Sequence, residues 1–407
     1  MRATGIVIGI LLLAACGQAP AKPTSAVVSP SPSATGTVQP SASANPSPSV
    51  KPSPTPLFAV LEAKGTANAW TYNTVAIAGL DGYARAKATF TPMPVPVLGC
   101  MGAILPSQAH VAAGKVYFAD AHGVIRSLAT DGRVMTAATF PMTSTQQMLS
   151  FAVSPDGGRI IGTVFTLPNN ASSCSGPGSG TFTFDAYSST GPSTNQLVYH
   201  QTWTAAPGNV MALMGWDSVG PFGTYPTVWA SQGGGPGSTL GVYTRINATT
   251  LKPGAQFSDP YTCRVWDSIS TGAFVCTQDG VITNPGAQQS VSVPVSVRRA
   301  DGSQSWQFTI SGTNGPSTPF LNPDGAHVIM CCSDDGHEWL IGQDGSKSML
   351  GPSFYGSGWI DATTVVGEYH LNPLAQPPLP LAYVALKAPG TVVSMGFAGL
   401  FVGTVRA

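Results

Sequence analysis

The stretch Leu321 to Glu338, "LNPDGAHVIMCCSDDGHE", packs reactive side chains more densely than its surroundings. Cys331, Cys332, Asp324, Asp334, Asp335, His327, His337 and Glu338 fall within 18 residues of a chain that is 9% charged. Thiols, imidazoles and carboxylates at this density are the ingredients of a metal centre or a redox pair. The spacing argues against a chelate. In an extended strand neighbouring side chains point to opposite faces, so Cys331 and Cys332 present their thiols to different sides.

Chemistry elsewhere in the chain is sparse. No Gly-x-Ser-x-Gly elbow, HExxH, P-loop or GxGxxG ahead of a helix occurs. The histidines (His110, His122, His200, His327, His337, His370) are scattered without ligand spacing. The glutamates are three, Glu62, Glu338 and Glu368, so a paired-carboxylate mechanism would rest on aspartates. Asp120, Asp217, Asp267 and Asp361 fall where they approach a central channel, and turn or strand-end roles explain them equally well. No catalytic residue, metal or cofactor is expected. A formal net charge of +0 leaves no basic excess to neutralise phosphates, which excludes nucleic acid as a natural partner.

The elements that carry these residues repeat. "LDGYARAKATFTP" from Leu80 and "TDGRVMTAATFPM" from Thr130 share an Asp-Gly turn and an Ala-Thr-Phe ending, with Asp81 and Asp131 50 residues apart. Trp216-Asp217-Ser218 and Trp266-Asp267-Ser268 are also 50 apart, and "GWIDATTVVG" at Gly358 is a looser copy. Between Gly, Pro, Asp and Asn turns lie short alternating or apolar runs, as in "HVAAG", "KVYFAD", "GVIRSLAT" and "GRVMTAATF". With 47 glycines and 36 prolines the chain is poor in helix formers. Four antiparallel strands per repeat of about 50 residues predict an all-β propeller. The turn before each fourth strand falls at Asp81, Asp131, Ser189, Ala248, Asp301, Asp344 and Ala388, giving seven four-stranded blades, or six if the terminal units merge. A pair of β-sandwiches is the competing arrangement, and the recurrence at 50 speaks against it.

Phe151-Ala152-Val153-Ser154-Pro155-Asp156-Gly157 and Leu321-Asn322-Pro323-Asp324-Gly325 resemble the repeat of TolB-like and WD-repeat-like propellers. The match covers two blades well and the rest in strand rhythm. It implies a propeller fold and an extracytoplasmic location, and no single activity. On this reading Asp324 is a turn residue and Val328 to Ser333 a second strand. The aspartate of each Asp-Gly turn bonds its own backbone rather than acting as an acid. Trp216, Trp266 and Trp359 recur at one blade position and pack between blades.

The N-terminus reads as an address. Arg2 precedes an apolar run from Gly5 to Leu13, too short to span a bilayer, and Leu13-Ala14-Ala15-Cys16 resembles the bacterial lipobox. Residues 1–15 are then a lipoprotein signal peptide, and Cys16 carries the lipid that holds the chain at a membrane. Residues 16–56 form a Pro/Ser-rich linker, with ten prolines and nine serines in residues 19–56. This segment buries too little to offset its ordering entropy and forms a semi-extended stalk. At about 3.1 Å per residue its reach is on the order of 100 Å. The propeller domain is 57–407, in the cell envelope on the extracytoplasmic side, at the cell surface or in the periplasm.

An oxidising location bears on the other cysteines, Cys100, Cys174, Cys263, Cys276, Cys331 and Cys332. Cys263 and Cys276 flank a hairpin turning near Ser270 and bridge if their side chains share a face. Cys100 and Cys174 fall in loops of neighbouring blades, where a bridge would staple the surface. Cys331 and Cys332 either bond each other or stay as buried thiols, and the oxidising location favours the bond.

In a propeller the first–second and third–fourth connections share one face. Here they are short. The other face carries "TPMPVPVLGCMGAILPS" from Thr91, "LPNNASSCSGPGSG" from Leu167, "SQGGGPGS" from Ser231, "ITNPGAQQS" from Ile282 and "HLNPLAQPPLP" from His370. Long loops on a rigid scaffold are where binding sits. Trp203, Tyr225 and Trp229 lie near these loops and are candidate contacts for a sugar or peptide. The expected function is a membrane-anchored, non-catalytic binding or scaffold module for protein, peptide or glycan. The alternative is an extracytoplasmic hydrolase or lyase using channel aspartates.

Overall fold

A computed structural model describes residues 56–66, 69–93, 109–168, 180–204, 212–224, 243–256, 263–278, 281–284, 290–312, 319–330, 337–369 and 379–406. The described residues are almost all strand and turn. The chain opens with β1 (Leu57–Thr66), β2 (Ala69–Gly79) and β3 (Ala84–Thr89). Sheet I holds β4 (Ala109–Ala112), β5 (Lys115–Asp120), β6 (Val124–Ala129) and β7 (Val134–Thr139), the four strands expected from the repeat. Sheet II holds β8 (Gln147–Val153), β9 (Ile160–Thr166), β10 (Phe182–Ser189) and β11 (Gln196–Trp203). Sheet III holds β12 (Ala212–Trp216), β13 (Pro221–Thr224), β14 (Tyr243–Ile246) and β15 (Pro253–Gln256). Sheet IV holds β16 (Arg264–Ser268), β17 (Phe274–Thr277), β18 (Val281–Asn284), β19 (Ser290–Arg298) and β20 (Gln304–Gly312). Sheet V holds β21 (Phe320–Leu321), β22 (His327–Met330), β23 (Trp339–Gly342) and β24 (Lys347–Met349). β25 (Phe354–Asp361), β26 (Thr364–Tyr369), β27 (Pro380–Ala385) and β28 (Val393–Val405) join β1 to β3 in a seven-stranded sheet VI.

All of these pairs are antiparallel, and the chain is a β-propeller. Its closure lies in β28. The start of this strand pairs with β27, Ser394 opposite Ala382, and its end pairs with β1, from Gly399 opposite Glu62 to Val405 opposite Leu57. Two four-stranded halves of sheet VI therefore share one strand. The first strands neighbour one another around the ring, β28 with β4, β4 with β8, β8 with β12, β16 with β21, β21 with β25 and β25 with β28. Sheets III and IV meet through the Ser218 amide, which donates to Ser270 O at 3.1 Å.

Sheets stacked on both sides explain the burial pattern. Every residue of β8 is buried and all but the last of β9, whereas the outer strand β11 is exposed or half-buried throughout. Seven apolar clusters each bridge neighbouring units. Between sheets V and VI, for example, Ile329, Leu340 and Leu350 pack on Phe354, Trp359, Val365 and Val384. Trp359 lies in this cluster and Trp216 packs against the one between sheets II and III, as expected from their recurrence. Trp266 donates instead to Thr277 Oγ1 at 2.8 Å within its own sheet.

The short turns bear out the repeat. The carboxylates of Asp81, Asp131, Asp156, Asp301, Asp324 and Asp344 each accept the amide two residues on, at 2.8–3.1 Å. The glycine that follows each takes φ between 70° and 84°, a region closed to most side chains. Hydrogen bonds hold Asp81, Asp131, Asp156, Asp301 and Asp344 below the usual carboxylate range: to Arg85, the Arg133 amide, Ser154, Ser303 and Ser346 respectively. These turns share one end of the sheets, the turn end. The connections 90–108, 167–181, 225–242 and 370–379 leave from the other, the loop end. One stretch expected to be loop, from Ile282, starts as strand: Val281–Asn284 forms β18, which extends the pairing of β19 beyond β17. The second strand expected over Val328 to Ser333 runs as β22 to Met330, with Cys331 to Ser333 outside the described residues.

Candidate functional site

The aspartates expected near a channel, Asp120, Asp217, Asp267 and Asp361, are all engaged. Asp120 accepts the amides of Ala121 at 2.9 Å and Thr91 at 2.8 Å. Asp361 accepts the Thr363 amide at 2.8 Å. Asp217 is 2% exposed and grips Arg245 with both oxygens, Nη1 at 2.6 Å and Nη2 at 2.8 Å. It also accepts from the Val219 amide at 2.8 Å and, across the seam to sheet IV, from Ser268 Oγ at 2.7 Å. Its counterpart one repeat on, Asp267, accepts the Leu321 amide of sheet V at 2.9 Å. No cation faces Asp267 within bonding distance among the described residues, and burial pushes its carboxyl up to about 6. The two Trp-Asp-Ser copies thus work as latches, from sheet III to sheet IV and from sheet IV to sheet V.

The Cys263–Cys276 disulfide expected from the hairpin is present, with Cα atoms 5.5 Å apart. Both cysteines lie in the apolar cluster between sheets III and IV, with Phe222, Val265 and Phe274. Cys100, Cys174, Cys331 and Cys332 lie outside the described residues, as do Tyr225 and Trp229 and the lipid-bearing Cys16. Trp203, at the end of β11, packs half-buried against the cluster between sheets II and III.

Three features escaped the sequence. His110 on β4 sets its ring edge-on to Phe151 at 4.7 Å, and burial pushes its imidazole down to about 4, so it is neutral in the core. Arg245 is the cation of the latch just described. The third is Glu338. It stands directly before β23 at the loop end, 2% exposed, and its Oε2 accepts the Gly356 amide of β25 across the seam between sheets V and VI. The slot is made by glycine: a Cβ on Gly356 would lie 2.7 Å from Ile329 Cδ1 and 3.1 Å from Glu338 Oε2. Burial pushes the Glu338 carboxyl up to about 8. The one signal available in the sequence was the scarcity of glutamate.

Strand direction brings all three glutamates to the loop end. Glu62 lies near the end of β1 and bonds Lys87 Nζ at 2.5 Å. Glu368 lies near the end of β26, opposite Tyr355. Burial first, and then the Glu368 charge, push the Tyr72 phenol up to about 12. On two adjacent first strands at this end, Tyr355 is 37% and Leu400 40% exposed. The loop end therefore sets Glu368 beside the exposed Tyr355, whereas the carboxylates of the turn end are committed to their own backbone.

Among the described residues no group of three or more His, Cys, Asp or Glu is placed to hold a metal, and no helix is long and apolar enough to cross a membrane. No known protein family matches the sequence, and no curated protein does. Solved structures similar to the chain include an oligogalacturonate lyase in complex with manganese, at 8% identity over 81% of this chain and 90% of that one, TM-score 0.43. BamB from Moraxella catarrhalis is 10% identical over 72% of this chain and 88% of its own, TM-score 0.36. A putative TolB from Agrobacterium tumefaciens is 11% identical over 85% and 93%, TM-score 0.31. At such scores these likenesses add nothing to what the sheet topology establishes.

Proposed function

We propose that the chain is a membrane-anchored extracytoplasmic lipoprotein whose seven-bladed propeller binds a protein, peptide or glycan through its loop end and performs no chemistry itself. The blade count follows from taking the two halves of sheet VI as separate blades. The observation that carries the binding reading is the inequality of the two ends. The turn end is short and bonded to itself, while the loop end carries the long connections and the exposed Tyr355 and Leu400. The reading as a hydrolase or lyase loses support because Asp120, Asp217, Asp267 and Asp361 all serve turns or seams.

Cross-linking in intact envelopes tests the binding reading. A partner captured by the wild-type chain should be lost from Tyr355→Ala/Leu400→Ser and kept by Asp131→Asn at the turn end. Equal capture by both variants would refute it. Metabolic labelling with a radioactive fatty acid tests the anchor: label should enter the wild-type chain and be absent from Cys16→Ser.

A further inference from the structure

Glu338 is a buried carboxyl that the proposed function leaves unused. It is 2% exposed, one of its oxygens accepts an amide from the neighbouring sheet, and its own carbonyl accepts the Leu350 amide at 3.1 Å. The walls around it are apolar: Ile329 from β22, Val365 from β26 and Leu350 beyond β24. The charged and titratable groups of these elements lie elsewhere. Lys347 on β24 sits over the Trp339 ring, 4.0 Å from its centroid. Tyr355 and Glu368 pair opposite each other one position from the Gly356–Gly367 pair, so they project to the other face of the sheet. His327 and Asp344 lie at the turn end. His337 directly precedes Glu338 in the chain, and what acts on the Glu338 carboxyl is burial and, opposing it, the Gly356 amide.

We propose that Glu338 makes the seam between sheets V and VI a proton-dependent joint, closed while the carboxyl carries its proton and loosened at the loop end when the proton leaves. Closed, the neutral acid fits between two sheets with the Gly356 amide as donor. Ionised, it is a buried carboxylate with no cation among the described residues to offset it, and water entering the seam is the available relief. The joint lies at the end that carries the loops, so alkaline conditions loosen that end first.

The sign follows from linkage. The carboxyl titrates near 8 in the folded chain and at 4.5 when unperturbed, so the folded chain holds a proton over that window which the unfolded chain has released. Stability from this group is full below about pH 4.5 and is lost as pH rises to about 8.

The chain's three glutamates permit a direct test. In protein labelled with 13C at the glutamate carboxyl, one of three resonances should titrate near pH 8 and vanish in Glu338→Gln. Hydrogen exchange at the amides of Gly356 and Leu350 should accelerate at least tenfold more between pH 6 and pH 9 than the intrinsic rate, in wild type only. If Glu338→Gln fails to fold, the wild-type titration and exchange decide the matter alone. Three resonances titrating in the ordinary range of about 4 to 5 would overturn the proposal, as would exchange at the seam that follows the intrinsic rate.

Discussion

Two seams of the propeller each bury a carboxyl, and they treat it in opposite ways. Between sheets III and IV, Asp217 receives a guanidinium on both oxygens and a hydroxyl from the next sheet. Between sheets V and VI, Glu338 receives one amide and apolar walls. Both are 2% exposed, so burial alone does not separate them. What separates them is the partner. A buried carboxylate is tolerated where a cation and several donors replace its water, and a buried acid keeps its proton where they do not. The first arrangement is an ion-paired clamp and the second a titratable one. Asp267 receives backbone amides and faces no cation among the described residues, and burial raises its carboxyl less far than that of Glu338.

The comparison breaks most visibly if the cation is removed. Arg245→Leu strands Asp217 between two sheets and should cost about 3–5 kcal/mol in urea unfolding; a loss under about 1 kcal/mol would mean the clamp is not needed. The same seam carries the Cys263–Cys276 bridge, which should contribute about 2–4 kcal/mol. Comparing unfolding of the Cys263→Ala/Cys276→Ala variant with wild type measures that contribution, less what the buried sulfurs add by packing. At the other seam Gly356→Ala drives a methyl against Ile329 and Glu338 and should cost about 1–3 kcal/mol. Its thermal unfolding should fall below wild type at pH 6, and equal midpoints would show that the slot is loose. The smallest effect belongs to Asp267→Asn. Because the Asp267 carboxyl is raised to about 6 from 3.8, wild type should lose stability as pH climbs through that window. Asp267→Asn should flatten that part of the curve, read as unfolding midpoint against pH.

The residues that wrote the fold most clearly were those with local duties. Asp-Gly turns and Trp-Asp-Ser positions declare themselves because the turn and the strand end need those side chains wherever the chain lies in space. Sheet I was readable strand by strand for this reason. β28 was not. Its 13 residues serve two halves of one sheet, and that division is set by pairing with β1 at the far end of the sequence. Glu338 was equally hidden. It looks like the polar end of an apolar strand, and its burial depends on a glycine of the next sheet, Gly356, that leaves room for it. The candidate contacts were read from aromatic type and nearness to loops, and for Trp203 that signal does not distinguish a ring against the core from one facing solvent.

The shared strand also decides how the domain bears load. β1 is hydrogen-bonded on both flanks, to β28 and to β2, and begins beside the last strand residue, with Leu57 opposite Val405. A pull on the residues before Leu57 therefore acts along a strand held between two others. It must shear both ladders together, where an edge strand would peel one bond at a time. The sheet that closes the ring is thus the one mechanically suited to take tension applied ahead of Leu57.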